Sequence, residues 1–185
     1  MKHQEKMPYT RAFIQEIFRY RPTLPLAIAH ETTSEIRIGN FKIPKNTMIT
    51  PNIWAAHRDP KTFENPNKFR PERFIDENGG FIPCDDVIPF SIGNRHCIGE
   101  HIARMEVFLF FTTLLQRFKI SASKDKPLPS FDEGVFSIGY SPKKFDIWYF
   151  ASHIPNPIMP NNSKTACEMI SSRNGAGKNG EFLVK

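Results

Sequence analysis

Closely spaced prolines between residues 57 and 90 restrict what this chain can fold into more than any other feature. They are Pro60, Pro66, Pro71, Pro83 and Pro89. Because proline fixes φ and has no backbone N–H, these prolines disfavour a continuous helix or a central strand in this segment. The phenylalanines embedded between the prolines favour packing over disorder: Phe63, Phe69, Phe74 and Phe81. We therefore expect a long, irregular but ordered Pro-rich meander.

The composition is that of a globular protein. Of the 185 residues, 39% are hydrophobic and 24% are charged, which is enough to bury a core. The 25 basic and 19 acidic residues give a net charge of +6, but no block of like charge indicates a nucleic-acid partner. The three cysteines have no C-x-x-C spacing, so the sequence predicts a reducing compartment and neither a disulfide framework nor a zinc ribbon.

Apolar stretches are short. Residues 1–10 are polar and lack the apolar run of a signal peptide, so we expect no targeting segment in this chain. The longest apolar stretch, 107–115, is well short of the roughly 20 residues that a membrane-spanning helix needs. We assign it to a core helix.

Two helices follow from apolar spacing. Thr10 is a candidate cap for a helix over 11–20, which should end before Pro22 because the residue before a proline avoids the helical basin. A second helix over 98–118 has apolar residues around nearly its whole circumference. This pattern predicts burial on most sides.

Strands are predicted in short antiparallel pieces. Residues 36–43 alternate apolar and polar side chains about a Gly-Asn turn, which indicates a hairpin. A third strand is expected over 48–53 and another hairpin region over 131–150. Residues 151–185 are rich in Pro, Asn, Ser and Gly with little periodicity, so we expect a disordered tail there.

The segment 90–99, F-S-I-G-N-R-H-C-I-G, carries the chemistry. It places Cys97 at a helix N-terminus, where free N–H groups favour a thiolate. Gly93 and Gly99 allow close approach of a flat ligand, and Arg95 offers a fork for a carboxylate. A thiolate, a planar clearance and a carboxylate binder together indicate a haem site.

The same segment, as F-x-x-G-x-R-x-C-x-G, resembles the haem-binding loop of cytochrome P450 enzymes. Two more motifs occur in that family's order: Glu16-Ile-Phe-Arg19 is similar to its E-x-x-R pair, and Pro71-Glu72-Arg73-Phe74 is similar to its P-E-R-F segment. The resemblance implies that Glu16, Arg19 and Arg73 are structural, with the carboxylate held between the two guanidiniums. Taken alone, Glu16 and Arg19 would be an ordinary solvated pair.

The resemblance assigns the site residues. It implies that Cys97 is the axial ligand of the haem iron, and that Arg95 and His30 bind the propionates. The haem-binding residues would also include Phe90, Gly93 and Gly99. At the substrate pocket it places Leu26, Ala27, Ile28, Ala29, Val135 and Phe136. No catalytic side chain is identified in the chain.

The fold implied by the resemblance is mainly α, with small antiparallel β-hairpins and the irregular meander, as a partial cytochrome P450 fold. Residues 1–150 resemble the C-terminal part of a haem-thiolate monooxygenase domain and lack the family's proton-handling helix and membrane anchor. The whole protein would oxygenate small hydrophobic substrates with O₂, taking electrons from NADPH through a cytochrome P450 reductase. It would lie on the cytosolic face of the endoplasmic reticulum membrane, attached through the missing N-terminal region.

Two other interpretations compete with this one. The chain alone could be a non-catalytic fragment that binds haem weakly or acts only as an interaction surface, with its long apolar helix exposed. A zinc site could form from His57, His96, Cys97 and His101, although no cysteine pair supports it. Cys84 and Cys167 are interpreted as a packed loop thiol and a tail thiol.

Overall fold

The computed structural model describes residues 4–122, 127–130, 133–136, 139–151 and 181–184. The chain divides into two compact units. The first comprises Met1–Arg104 with Val135–Ser141, and the second comprises Met105–Gly134 with Pro142–Lys185.

Helix α1 spans Pro8–Tyr20 and begins earlier than predicted. Met7 is its N-cap and makes no side-chain capping bond, so the assignment of Thr10 as a cap was wrong. Pro8 occupies the first turn of the helix. Backbone N–H groups there have no acceptor within the helix, so the N–H that proline lacks is not needed. The helix ends at Tyr20 as predicted, and Arg21 turns away with a φ of −138°.

Short antiparallel pairs follow α1. Strands β2 (Ile36–Ile38) and β3 (Phe41–Ile43) form the predicted hairpin, and Gly39 in its turn has a φ of +56°. Strand β1 (His30–Glu31) pairs with β4 (Met48–Ile49), with His30 opposite Ile49.

The predicted strand over 48–53 is too long. Ile53 instead begins the short helix α2, Ile53–Ala56. The side chain of Asn52 accepts a hydrogen bond from the amide of Ala55 at 2.9 Å. This N-cap favours helix over strand at that point.

The segment from residue 57 to residue 90 is described throughout. It contains a 3₁₀ turn over Pro71–Phe74 and an isolated bridge between Ile75 and Phe81. Its buried side chains join α1 in the core of the first unit: the core residues are Ala12, Phe63, Phe74 and Val87. The segment is thereby packed against the helix that carries the E-x-x-R pair.

Helix α3 spans Glu100–Arg117, and Phe118 already belongs to the next strand. The predicted burial of this helix was wrong, because Phe108 is its only buried residue. Ile102 and Phe110 are 56% and 68% exposed. An apolar circumference leads to burial only where other elements cover each face. Among the described residues, no helix is long and apolar enough to cross a bilayer.

The second unit contains a three-stranded antiparallel sheet. Its order is β5 (Phe118–Ala122), β8 (Ile147–Ala151) and β9 (Glu181–Val184). The predicted hairpin region also contains the paired strands β6 (Gly134–Phe136) and β7 (Tyr140–Pro142), most of whose residues belong to the first unit. Of the expected disordered tail, Ala151 and Glu181–Val184 instead lie in strands of the three-stranded sheet. The prediction for 152–180 and Lys185 falls outside the described residues.

Candidate functional site

The carboxylate of Glu16 is the centre of a buried ionic cluster. Arg19 donates to it through Nε at 2.7 Å and Nη2 at 2.8 Å. Arg73 donates through Nε at 3.2 Å, and the backbone amide of Arg70 donates at 2.7 Å. Glu16 and Arg19 are both 0% exposed. The pair is therefore buried and differs from the solvated pair that these two residues would indicate in isolation. The carboxylate lies between two guanidiniums, as the resemblance implied.

Both guanidiniums use their remaining N–H groups on backbone carbonyls. Arg19 donates to the carbonyls of His57 at 2.8 Å, Pro66 at 2.9 Å and Lys68 at 3.2 Å. Arg73 also donates to the carbonyl of Lys68, and burial lowers its pKa while the charge of Glu16 opposes that effect. The cluster thus ties α1 to the Pro-rich segment at several points along the backbone.

His57 is a buried residue whose structural role sequence reasoning missed. Its ring is fully buried, with Nδ1 3.0 Å from the carbonyl oxygen of Arg19 and Nε2 2.8 Å from the amide nitrogen of Ile88. Burial lowers the pKa of His57 from 6.5 to about 4, and the charges of Arg19 and Arg58 contribute. No local sequence pattern indicates this role, because both partners of the ring are backbone atoms of distant residues.

The cysteine loop is folded by local hydrogen bonds. The amide of Cys97 donates to the carbonyl of Phe90 at 2.9 Å, which closes the loop around a 3₁₀ turn over Gly93–Arg95. Gly93 has a φ of +73°, in the left-handed region that favours glycine. The carbonyl of Cys97 accepts from the amide of Glu100 at 3.3 Å, so the thiol lies just before α3, as predicted.

Beside this loop lies a pocket of about 610 Å³. Its volume is in the range of roughly 300–1,000 Å³ that is typical of small-molecule sites. Six of the sequence-predicted residues line it: Ala27, Ile28, His30, Phe90, Arg95 and Cys97. Most of the other lining side chains are apolar, among them Phe18, Leu24 and Ile53. A thiol, a guanidinium and an imidazole thus share one largely apolar pocket.

The other predicted residues do not line the pocket. They are Leu26, Ala29, Gly93, Gly99 and Val135. The side chain of Phe136 lies outside the described residues. A Cβ on Gly99 would lie 3.8 Å from the sulfur of Cys97, so this glycine borders the thiol from the α3 side.

Backbone strain is found at the pocket. Ala27 has a φ of +51° and Ser91 has a φ of +66°, and both residues line it. Left-handed backbone at residues other than glycine is unfavourable, and it is found at turns and at functional sites.

Arg104 stabilises the junction of the loop with α1. Its guanidinium carbon lies 5.3 Å from the ring centre of Phe18 and 5.2 Å from that of Phe90. Those two rings also contact each other edge to face at 5.5 Å. Arg104 pairs with Glu100 at 2.8 Å as well. The pocket wall is thereby fixed by aromatic and charged contacts together.

The zinc interpretation is wrong. Both ring nitrogens of His57 are engaged by backbone groups in the core, so it cannot join a metal site with the exposed Cys97. Within the described part of the chain, no three His, Cys, Asp or Glu residues are grouped as metal ligands. Cys84 packs against the core cluster as predicted, and Cys167 lies outside the described residues.

Comparison with known proteins agrees with this arrangement of motifs. The family model for cytochrome P450 matches residues 1–148, and the chain belongs to the cytochrome P450 family. It is 42% identical over 150 residues to cytochrome P450 2D3 of Rattus norvegicus, covering 81% of this chain and 30% of that protein.

Two further relatives are similar at the same level. Cytochrome P450 2D6 of Homo sapiens is 42% identical over 147 residues, covering 80% of this chain and 29% of the relative. Cytochrome P450 2U1 of Bos taurus is 43% identical over 143 residues, covering 77% and 26%. The chain thus spans less than a third of the length of these relatives.

Proposed function

We propose that this chain forms the haem-binding part of a haem-thiolate monooxygenase that acts on small hydrophobic organic substrates. The observation that carries the proposal is that Cys97, Arg95 and His30 line one largely apolar pocket. Membership of the cytochrome P450 family supports the same chemistry.

The donor set in the pocket fits a haem. The sulfur of Cys97 is exposed and would ligate the iron. Arg95 and His30 would bind the two propionates by charge-assisted hydrogen bonds. Phe90 would pack against the macrocycle, and the absence of a side chain at Gly99 would leave room beside the thiol. A role for Gly93 is proposed from the family resemblance. When bound, the haem supplies the electron transfer and oxygen chemistry that the protein itself cannot supply.

Substrate contacts are proposed for six residues. Ala27 and Ile28 have the stronger support, because they line the same pocket as Cys97. Leu26, Ala29, Val135 and Phe136 remain proposals from the family resemblance.

For the whole protein, we propose an NADPH-dependent cytochrome P450 reductase as electron donor and the cytosolic face of the endoplasmic reticulum membrane as location. We also propose that residues 1–150 act as the haem-binding portion and that 151–185 lie outside it. These assignments rest on the family, since electron supply from a reductase is how its microsomal members work.

The test is the absorption spectrum of the haem-loaded chain after dithionite reduction and carbon monoxide binding. A strongly red-shifted Soret band indicates thiolate ligation, and we expect Cys97→Ala to abolish it. Cys84→Ala is the matched control, because that thiol packs against the core and should leave the band intact. Absence of the band from the unmodified chain would contradict the proposal.

A second candidate function is a non-catalytic interaction surface. The observation in its favour is the exposed apolar face of α3, where Phe110 is 68% accessible. A purified chain that is monomeric, soluble and unfolds cooperatively would exclude this alternative.

A further inference from the structure

His57 lies at the junction between α1 and the segment that leads into the cysteine loop. It is the C-cap of α2 and is 0% exposed. Its ring packs edge to face against Phe63, with the centroids 6.4 Å apart. The side chain is far too buried to act on a ligand directly, so its role must be exerted through the groups that it contacts.

The two hydrogen bonds of the ring define its tautomer. The amide of Ile88 can only donate, so Nε2, at 2.8 Å, carries no proton. The carbonyl of Arg19 can only accept, so Nδ1, at 3.0 Å, carries the proton. The imidazole is therefore neutral and bridges the carbonyl of Arg19 to the amide of Ile88. A charged imidazolium would lose the bond from Ile88.

Further backbone hydrogen bonds connect the region of Ile88 to the cysteine loop. The carbonyl of Ile88 accepts from the amide of Ser91 at 3.1 Å, and the carbonyl of Phe90 accepts from the amide of Cys97 at 2.9 Å. Phe90 is in turn held against Phe18 of α1. The position of the loop thus depends on the position of Ile88. The side chain of His57 accepts the hydrogen bond from the amide of Ile88 and so holds that residue in place.

We infer that His57 is a positioning residue for Cys97: its Nε2 lone pair fixes Ile88 and, through it, the entry to the cysteine loop. The inference deepens the proposed function, and its effect on haem ligation rests on that function. The effect of His57 on the backbone of the loop is independent of whether the chain binds haem.

Two substitutions separate this role from simple packing. Asparagine places its amide near the position of Nδ1 and keeps the donor to Arg19, whereas glutamine places its oxygen near Nε2 and keeps the acceptor for Ile88. A residue that only fills space would respond similarly to both changes. We therefore expect His57→Asn to loosen the loop and His57→Gln to preserve it.

The measurement is amide hydrogen exchange of the full chain without haem. We expect exchange at Ile88 and Cys97 to become about tenfold faster in His57→Asn than in His57→Gln. The amide of Ile82, bonded to the carbonyl of Phe74 at 2.9 Å, is the internal reference for global stability. Equal exchange in the two variants, or faster exchange in His57→Gln, would overturn the inference.

If a variant does not fold, the tautomer in the unmodified chain decides the matter. Nitrogen-resolved NMR should show the proton of His57 on Nδ1, and a proton on Nε2 would overturn the inference. In a separate arm, haemin-loaded His57→Asn should show a several-fold smaller red-shifted carbon monoxide band than His57→Gln. Absence of that band from the unmodified chain contradicts the proposed function alone, because the exchange data still test His57.

Discussion

Glu16 and Arg19, one turn apart on α1, form a two-pronged ion pair with no solvent-exposed surface on either side chain. Burying two charges is costly unless every donor and acceptor finds a partner. Here the carboxylate also accepts from Arg70 and Arg73, and the guanidinium also donates to three carbonyls. The pair is therefore inseparable from the segment that packs on α1.

Neutralising Glu16 should be strongly destabilising. Glu16→Gln keeps the shape of the side chain but leaves the guanidiniums of Arg19 and Arg73 without their counter-charge. We expect the free energy of unfolding in urea to fall by about 3–5 kcal/mol. Glu64→Gln is the control, because Glu64 forms an exposed pair with Arg70 and should have a far smaller effect. Similar losses in the two variants would contradict a buried, structural Glu16.

Arg19→Lys tests the fork geometry at constant charge. A lysine ammonium cannot reach both carboxylate oxygens of Glu16 together with the carbonyls of His57, Pro66 and Lys68. We expect a loss of at least about 2 kcal/mol in unfolding free energy, measured by urea titration. Arg37→Lys on the exposed strand β2 should have little effect. If both variants kept full stability, charge alone would suffice at Arg19.

The buried His57 should make stability depend on pH. Its pKa is about 4 in the folded chain, against 6.5 for an exposed histidine. Between these values the unfolded chain binds a proton that the folded chain does not, so stability falls as the pH drops from about 6.5 toward 4 and levels off below. The loss attributable to His57 is roughly 3 kcal/mol at most.

Carboxylates also titrate in part of that pH window, so the contribution of His57 must be measured by comparing two variants of the chain. Urea unfolding of the unmodified chain and of His57→Gln should be followed at half-unit steps of pH. We expect a flatter profile for His57→Gln between 6.5 and 4. Parallel profiles would show that His57 is not the group responsible.

Two glycines of the cysteine loop should respond differently to alanine. Gly93→Ala introduces a side chain at a φ of +73°, so we expect a loss of about 1 kcal/mol in stability without haem. Gly99 has no such backbone constraint, and its added Cβ would lie 3.8 Å from the sulfur of Cys97. Gly99→Ala should keep the stability of the haem-free chain and weaken haemin binding, followed by spectral titration. Unchanged haemin affinity would remove Gly99 from the proposed site.

Local patterns predicted part of the local structure. The hairpin over 36–43 was predicted because alternation and a Gly-Asn turn lie within eight residues. The end of α1 was predicted because Pro22 acts on its immediate neighbour. The start of α1 was not, since Pro8 and Thr10 offer competing signals within the first turn.

Features that depend on distant residues were predicted poorly without the family resemblance. As bare sequence, Glu16 and Arg19 indicate a solvated pair. They are buried only because the distant segment around Arg73 packs on them, and the local sequence does not show that contact. His57 was missed because its two partners are backbone atoms of Arg19 and Ile88, which carry no side-chain signature. The exposure of α3 differs from prediction because hydropathy describes a helix and not the elements that cover it.

The reciprocal bonds between Arg19 and His57 join two residues that lie far apart in the sequence. The side chain of each residue bonds to the backbone carbonyl of the other, across 38 positions of sequence. The bond from Arg73 to Glu16 spans 57 positions. Loops of this length must close before any of these bonds forms, so the charged face of α1 is completed late in folding. During synthesis, the ionic cluster around Glu16 cannot be completed until residue 73 has left the ribosome.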